Sequence, residues 1–131
     1  MKNISIITDG SCDIPKEVIE QYQIKLLPLH FQFEDQIEYG SERIMDIEDF
    51  YRRLENGEVA KTSACSPSSA IEIMKKELDK GNDVICVTIS SSMSCTFNNI
   101  RLASLELQDS YPEQRITVID SLTASMAMGM M

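Results

Sequence analysis

The sequence predicts an α/β domain of three layers, α/β/α, built on a mainly parallel four-stranded sheet in the order 2-1-3-4. Two observations lead there. Short runs such as Val84-Ile85-Cys86-Val87-Thr88-Ile89 are apolar at nearly every position, as strands covered on both faces must be. Between such runs lie segments whose apolar residues recur with a helical period, and strand–helix alternation joined by right-handed crossovers gives a parallel sheet clothed in helices.

Ile4 to Asp9 reads as the first buried strand. Asp13-Ile14-Pro15 then opens a helix from Lys16 to Tyr22, with Asp13 as the cap and Pro in the first turn. Ile24 to Phe33 is the second strand. Pro28 cannot donate to a ladder, so this strand belongs at the sheet edge. Asp46 to Leu54 forms a short helix with Ile47, Phe50, Tyr51 and Leu54 on one face, stopping near Asn56-Gly57. Ser66 caps a helix starting at Pro67, whose Ala70, Ile71, Met74 and Leu78 keep the helical period until Gly81. Asp83 to Ser90 is the central strand. Met93 to Gln108 is a helix with Phe97, Ile100, Ala103 and Leu107 inward, and Ile116 to Asp120 is the fourth strand. A last helix is expected to begin near Ser121. Its Ala124, Met126, Met128, Met130 and Met131 form an apolar face that nothing else in the sequence buries, which favours self-association. Residues 1–131 thus read as one domain, cut within this final helix.

The charge balance excludes some functions. With 21 acidic against 12 basic residues the net charge is −9, so nucleic acid and anionic membrane surfaces are repelled on average. The N-terminal apolar stretch ends at Asp9, too soon for a signal peptide, and no run is long enough for stable membrane insertion; a cytoplasmic location is the expectation. Cys12, Cys65, Cys86 and Cys95 lack Cys-x-x-Cys spacing and are expected as free thiols. The lone His30 sits in an apolar stretch, where packing or capping fits better than metal ligation. Asp9, Asp13 and Asp120 suit turn, cap and loop hydrogen bonds rather than a magnesium cluster. No metal and no cofactor are expected.

Most of the plausible chemistry lies in two hydroxyl-rich loops, Thr62-Ser63-Ala64-Cys65-Ser66-Pro67-Ser68-Ser69 and Ser90-Ser91-Ser92-Met93-Ser94-Cys95-Thr96. Each precedes a helix, where unpaired backbone N–H groups and the helix dipole favour an anion. Neither contains Arg or His. Neutral donors suit a head group tethered by a large apolar remainder, because little of the affinity then has to come from charge. The second loop, Asp9-Gly10-Ser11 and Asp120-Ser121 all fall at the carboxyl ends of strands, where open α/β sheets bind ligands.

Read together, Ile7-Thr8-Asp9-Gly10-Ser11-Cys12-Asp13-Ile14-Pro15, Thr62-Ser63 ahead of Pro67, Ile89-Ser90-Ser91-Ser92-Met93-Ser94-Cys95-Thr96 and Val118-Ile119-Asp120-Ser121 resemble the N-terminal domain of the DegV family. The resemblance implies a long-chain fatty acid ligand, enclosed between this domain and a C-terminal domain that is missing here. It implies a fatty acid kinase as partner, which phosphorylates the presented acid, so the chain itself is not an enzyme. It also implies that Thr62 and Ser94 hold the carboxylate. Three positions depart from the family pattern: Gly10 stands for Ser, Met93 for Leu, and Cys95 for a Gly that could take positive φ or let backbone approach the ligand.

Two other readings of the residues remain. Cys95-Thr96-Phe97-Asn98-Asn99-Ile100-Arg101 fits the Cys-x5-Arg pattern of a phosphatase with Cys95 as nucleophile, but its five intervening residues contain no Gly to curl amides around a phosphate. A flavodoxin-like cofactor domain shares the sheet order and a hydroxyl loop but needs an aromatic pair around the flavin that is not evident.

Overall fold

The computed structural model describes residues 3–40 and 43–131. Along the chain run β1 (Ile4–Asp9), α1 (Lys16–Gln21), β2 (Lys25–Leu27), β3 (His30–Gln32), β4 (Glu38–Tyr39), α2 (Ile47–Glu55), β5 (Lys61–Ser63), α3 (Pro67–Leu78), β6 (Asp83–Thr88), α4 (Thr96–Ser110), β7 (Ile116–Asp120) and α5 (Met126–Gly129). The main sheet is parallel in the order β2-β1-β6-β7, which is the expected 2-1-3-4.

Residue alternation divides that sheet into two unlike faces. Ile7, Val84 and Cys86 point to the side covered by α3 and α4, where they join Ala70, Met74, Leu78, Ile100, Ala103 and Leu107 in one buried cluster. Each large aliphatic side chain there contributes about 1.5–3 kcal/mol by leaving water. The opposite face carries Ile6, Ile85, Val87 and Ile119, bordered by Ile14 and Ile24 on either side of α1 and by Met128 and Met131 at the chain's end, around a cavity of about 320 Å³. This face is the less completely covered one: Ile4 and Ile6 remain exposed.

The caps follow local chemistry. The Ser66 hydroxyl accepts from Ser69 N–H at 3.2 Å, with Pro67 as the first residue of α3. Asp46 caps α2 through Glu48 N–H. At α1 the expectation fails: Pro15 itself occupies the cap position, while Asp13 lies at φ 50° and its carboxylate accepts from the Ser125 hydroxyl at 2.6 Å. Asp13 therefore ties the first loop to the chain's end rather than capping a helix.

Other differences have equally local causes. The run 24–33 is interrupted by Pro28 and divides: β2 stays at the edge of the main sheet, whereas β3 pairs antiparallel with β4 and β5 in a separate small sheet, order β4-β3-β5. Phe31, Phe33, Tyr39 and Phe50 bind this sheet to α2 through ring contacts with centroids 5.1–6.0 Å apart. Among the described residues, Phe50 alone of the expected α2 face meets the rings of the small sheet; Tyr51 packs its ring on Phe50 and, like Ile47, is exposed. The chain's last helix begins at Met126, not Ser121, because Leu122 and Ser125 adopt positive φ and form a turn. The expected exposed face shrinks accordingly: Met128 is buried with its sulfur 3.6 Å from the Ser11 hydroxyl, leaving Met126, Met130 and Met131 outside.

Candidate functional site

Beyond the carboxyl ends of β1, β6 and β7, two carboxylates set the shape of the Ser90–Thr96 loop. Asp9 is fully buried, and its oxygens accept from Ser11 N–H at 3.0 Å, from the Ser11 hydroxyl, and from Ile89 N–H at 2.7 Å. One side chain thereby joins the loop after β1 to the loop after β6. Asp120 accepts from Ser91 N–H and Leu122 N–H, each at 3.1 Å, joining the loop after β6 to that after β7. The hydrogen bonds from Ser91 and Leu122 hold the Asp120 carboxyl below its ordinary pKa. Both aspartates act as the sequence predicts, in loop hydrogen bonding.

Between these anchors the loop turns tightly. The Ser90 carbonyl accepts from Met93 N–H at 2.9 Å and Ser94 N–H at 3.2 Å, and the Ser90 hydroxyl accepts from Ser92 N–H at 3.2 Å. The turn delays α4, which begins at Thr96 rather than at Met93. Ser94 precedes the helix, its hydroxyl oxygen receiving Thr96 N–H at 3.2 Å and lying 2.8 Å from the Thr96 hydroxyl. Cys95 sits at φ −76°, a conformation open to any residue, so the backbone here does not require the family's glycine.

Thr62 reaches the same place from the small sheet. It lies in β5, directly opposite Phe31 of β3, and its hydroxyl makes no hydrogen bond among the described residues. A single cleft of about 450 Å³ is lined by Thr62, Ser63 and Ser94 on one hand and by Leu29, Phe31, Ile89 and Met93 on the other. The structure thus brings together both sequence-predicted site residues and sets polar hydroxyls beside an apolar wall. No Lys or Arg lines this cleft among the described residues.

Three contributors escape sequence reasoning. Asn99 in α4 donates to the Cys65 carbonyl at 2.9 Å, tying the first turn of that helix to the first hydroxyl loop. His30 is packed, as expected, against the backbone at Gly40, and it also lines the cleft and faces Glu38 at 3.5 Å. Gly40 makes room for that imidazole, since a Cβ there would collide with its ring. The pairing of β3 with β5 could not be anticipated, because Lys61-Thr62-Ser63 shows no apolar alternation.

The Cys-x5-Arg reading loses its geometry. Residues 96–101 are helical, which places Arg101 about 9 Å along the axis from Cys95 instead of folding it back around an anion. Cys95 is exposed and does not line the cleft. The buried Cys65 thiol, by contrast, is pushed up to about 11 by burial and by Asp9.

Comparison with known proteins gives a consistent result. Residues 3–131 match the sequence profile described as "Uncharacterised protein, DegV family". A DegV domain-containing protein of Clostridium perfringens is 35% identical over 99% of this chain and 45% of its own length. Among solved structures, a stearic acid-binding protein from Eubacterium ventriosum superposes with a TM-score of 0.85 at 28% identity, over 95% of this chain and 43% of that one. DegV of Bacillus subtilis, described as a fatty acid binding protein, superposes with a TM-score of 0.82 at 30% identity, over 99% of this chain and 45% of that one. The chain spans less than half the length of each of these relatives.

Proposed function

The chain belongs to the DegV family, and from that premise we propose that it binds a long-chain fatty acid whose carboxylate is held by the hydroxyls of Thr62 and Ser94. The observation that supports this most is the single cleft containing both hydroxyl loops and an apolar wall. A carboxylate only accepts hydrogen bonds, and hydroxyl donors match it without placing a buried cation opposite it. Enclosing the ~14 methylenes of a sixteen-carbon tail makes about 11 kcal/mol available before the costs of association, so the acyl chain supplies most of the affinity and the hydroxyls fix its orientation.

On this reading the protein is a carrier without catalysis of its own, acting in the cytoplasm and offering the held carboxylate to a fatty acid kinase that makes the acyl phosphate. The part of the protein corresponding to the relatives' remaining length supplies the other wall of the tunnel. Residues 1–131 alone therefore bind palmitate weakly, and their exposed Met126, Met130 and Met131 favour self-association. Native mass spectrometry of the full-length protein purified from bacteria tests the assignment: a co-purified fatty acid is expected, and a flavin or nucleotide in its place refutes it.

A further inference from the structure

We propose that Thr96 is a positioning residue that fixes Ser94 as a hydrogen-bond donor toward the cleft, and so makes the site selective for ligands whose head groups only accept. Thr96 is completely buried. The one hydrogen bond of its hydroxyl among the described residues is with the Ser94 oxygen, at 2.8 Å, and its backbone N–H also points at that oxygen, at 3.2 Å. A hydroxyl carries one proton and two acceptor positions. Were Ser94 to donate to Thr96, the Thr96 proton would have no acceptor in a site shut off from water, an arrangement disfavoured by the full desolvation of that donor. Thr96 must therefore donate. Ser94 then receives two protons from Thr96, one from nitrogen and one from oxygen, and both its acceptor positions are occupied. Its own proton is left to face the cleft that Ser94 lines.

The consequence is a polarity written into the loop. Ser94 can give a hydrogen bond to an incoming group but cannot take one, so an ionised carboxylate is matched and a head group that must donate is not. Donation from Thr96 also polarises the Ser94 hydroxyl and strengthens the bond it makes. The choice of an acyl ligand rests on the reading under Proposed function; the direction of the Ser94–Thr96 hydrogen bond does not.

Two measurements on the full-length protein separate these. In the first, hydroxyl protons are observed by NMR with selectively labelled Thr and Ser, without ligand. A slowly exchanging Thr96 hydroxyl proton and a fast-exchanging Ser94 one are expected, and the reverse assignment overturns the proposal. In the second, palmitate and hexadecylammonium, whose head group can only donate, are titrated into wild type, Thr96→Val and Thr96→Ser. The valine variant should lose about five-fold in its preference for palmitate over the ammonium, with thermal stability monitored in parallel, and the serine variant should restore it. An unchanged preference in Thr96→Val overturns the proposal, while failure of the wild type to bind either lipid overturns the fatty-acid reading and leaves the NMR result to decide the role of Thr96. If Thr96→Val does not fold, the NMR assignment on the wild type still decides between the two hydrogen-bond directions.

Discussion

Replacing Asp9 by Asn changes almost nothing in size and everything in hydrogen-bonding capacity. In the native site one carboxylate oxygen receives the Ser11 N–H and hydroxyl, and the other receives Ile89 N–H at 2.7 Å. An amide has one oxygen. Whichever way it is turned, its NH2 group meets a backbone N–H, from Ser11 or from Ile89, and two donors then face each other in a fully buried position. Losing one charge-assisted bond removes about 1.5–3 kcal/mol, and the orphaned donor adds a penalty of similar size that relaxation partly relieves. We expect Asp9→Asn to destabilise the fold by about 3 kcal/mol in urea denaturation at neutral pH. Asp120→Asn is the control: its partners Ser91 and Leu122 are exposed and can turn to water, so its cost stays below about 1 kcal/mol. Equal, small losses in both variants would refute the idea that Asp9 anchors the two loops that frame the cleft.

Thr62→Ala and Ser94→Ala should each weaken fatty acid binding by about 1–2 kcal/mol, read by palmitate titration of the full-length protein, with Ser94→Ala also losing about 1–3 kcal/mol of stability because it orphans the buried Thr96 hydroxyl; wild-type affinity in the double variant removes both from the site. Cys95→Gly should alter palmitate affinity little and stability by less than about 0.5 kcal/mol, because glycine is a good residue at a helix start and φ −76° asks nothing special of it; a gain in affinity would show that the thiol obstructs the ligand. Cys95→Ser should leave aryl phosphate hydrolysis at background, as in the wild type, whereas a loss of measurable turnover would revive the phosphatase reading. Burial works against ionisation of Glu77, yet Lys80, Ser5 and Asn82 outweigh it and hold its pKa down at about 2. A folded-state value below the ordinary one gives stability that is present above about pH 4.5 and lost as pH falls toward 2. Allowing for screening at exposed Lys80, Glu77→Gln should cost about 2 kcal/mol at pH 7 and flatten the stability profile between pH 5 and 2; an unchanged acid limb would contradict this.

What could be read in the sequence was whatever rests on a period or a cap. The run 84–89 and the stripe Ala70, Met74, Leu78 could only be a buried strand and the inner face of a helix, and Ser66-Pro67 marked that helix's start. Both hydroxyl loops could be marked as candidate anion sites because each precedes a helix, and the family resemblance singled out Thr62 and Ser94 within them. Their meeting at one site was expected from the family resemblance, but the contacts behind it were not visible. They include the Asn99 bond to the Cys65 carbonyl and the pairing of a three-residue polar strand with β3, interactions of residues far apart in the chain with no periodic trace. Asp13 misled for the opposite reason: its type and spacing suited a cap, but a long-range bond from Ser125 took its carboxylate. Met128 likewise belonged to a stripe that looked exposed until the turn at Leu122 and Ser125 folded it against Ser11.

Capture of a carboxylate by Thr62 and Ser94 meets its sharpest test in a crystal structure of the full-length protein carrying the lipid it acquires in bacteria. The expected result is a fatty acid whose carboxylate oxygens lie about 3 Å from the Thr62 and Ser94 hydroxyls, with its tail leaving past Leu29, Phe31 or Met93. A lipid seated instead on the open sheet face beside Ile6 and Ile85, or a head group out of reach of both hydroxyls, would overturn that assignment.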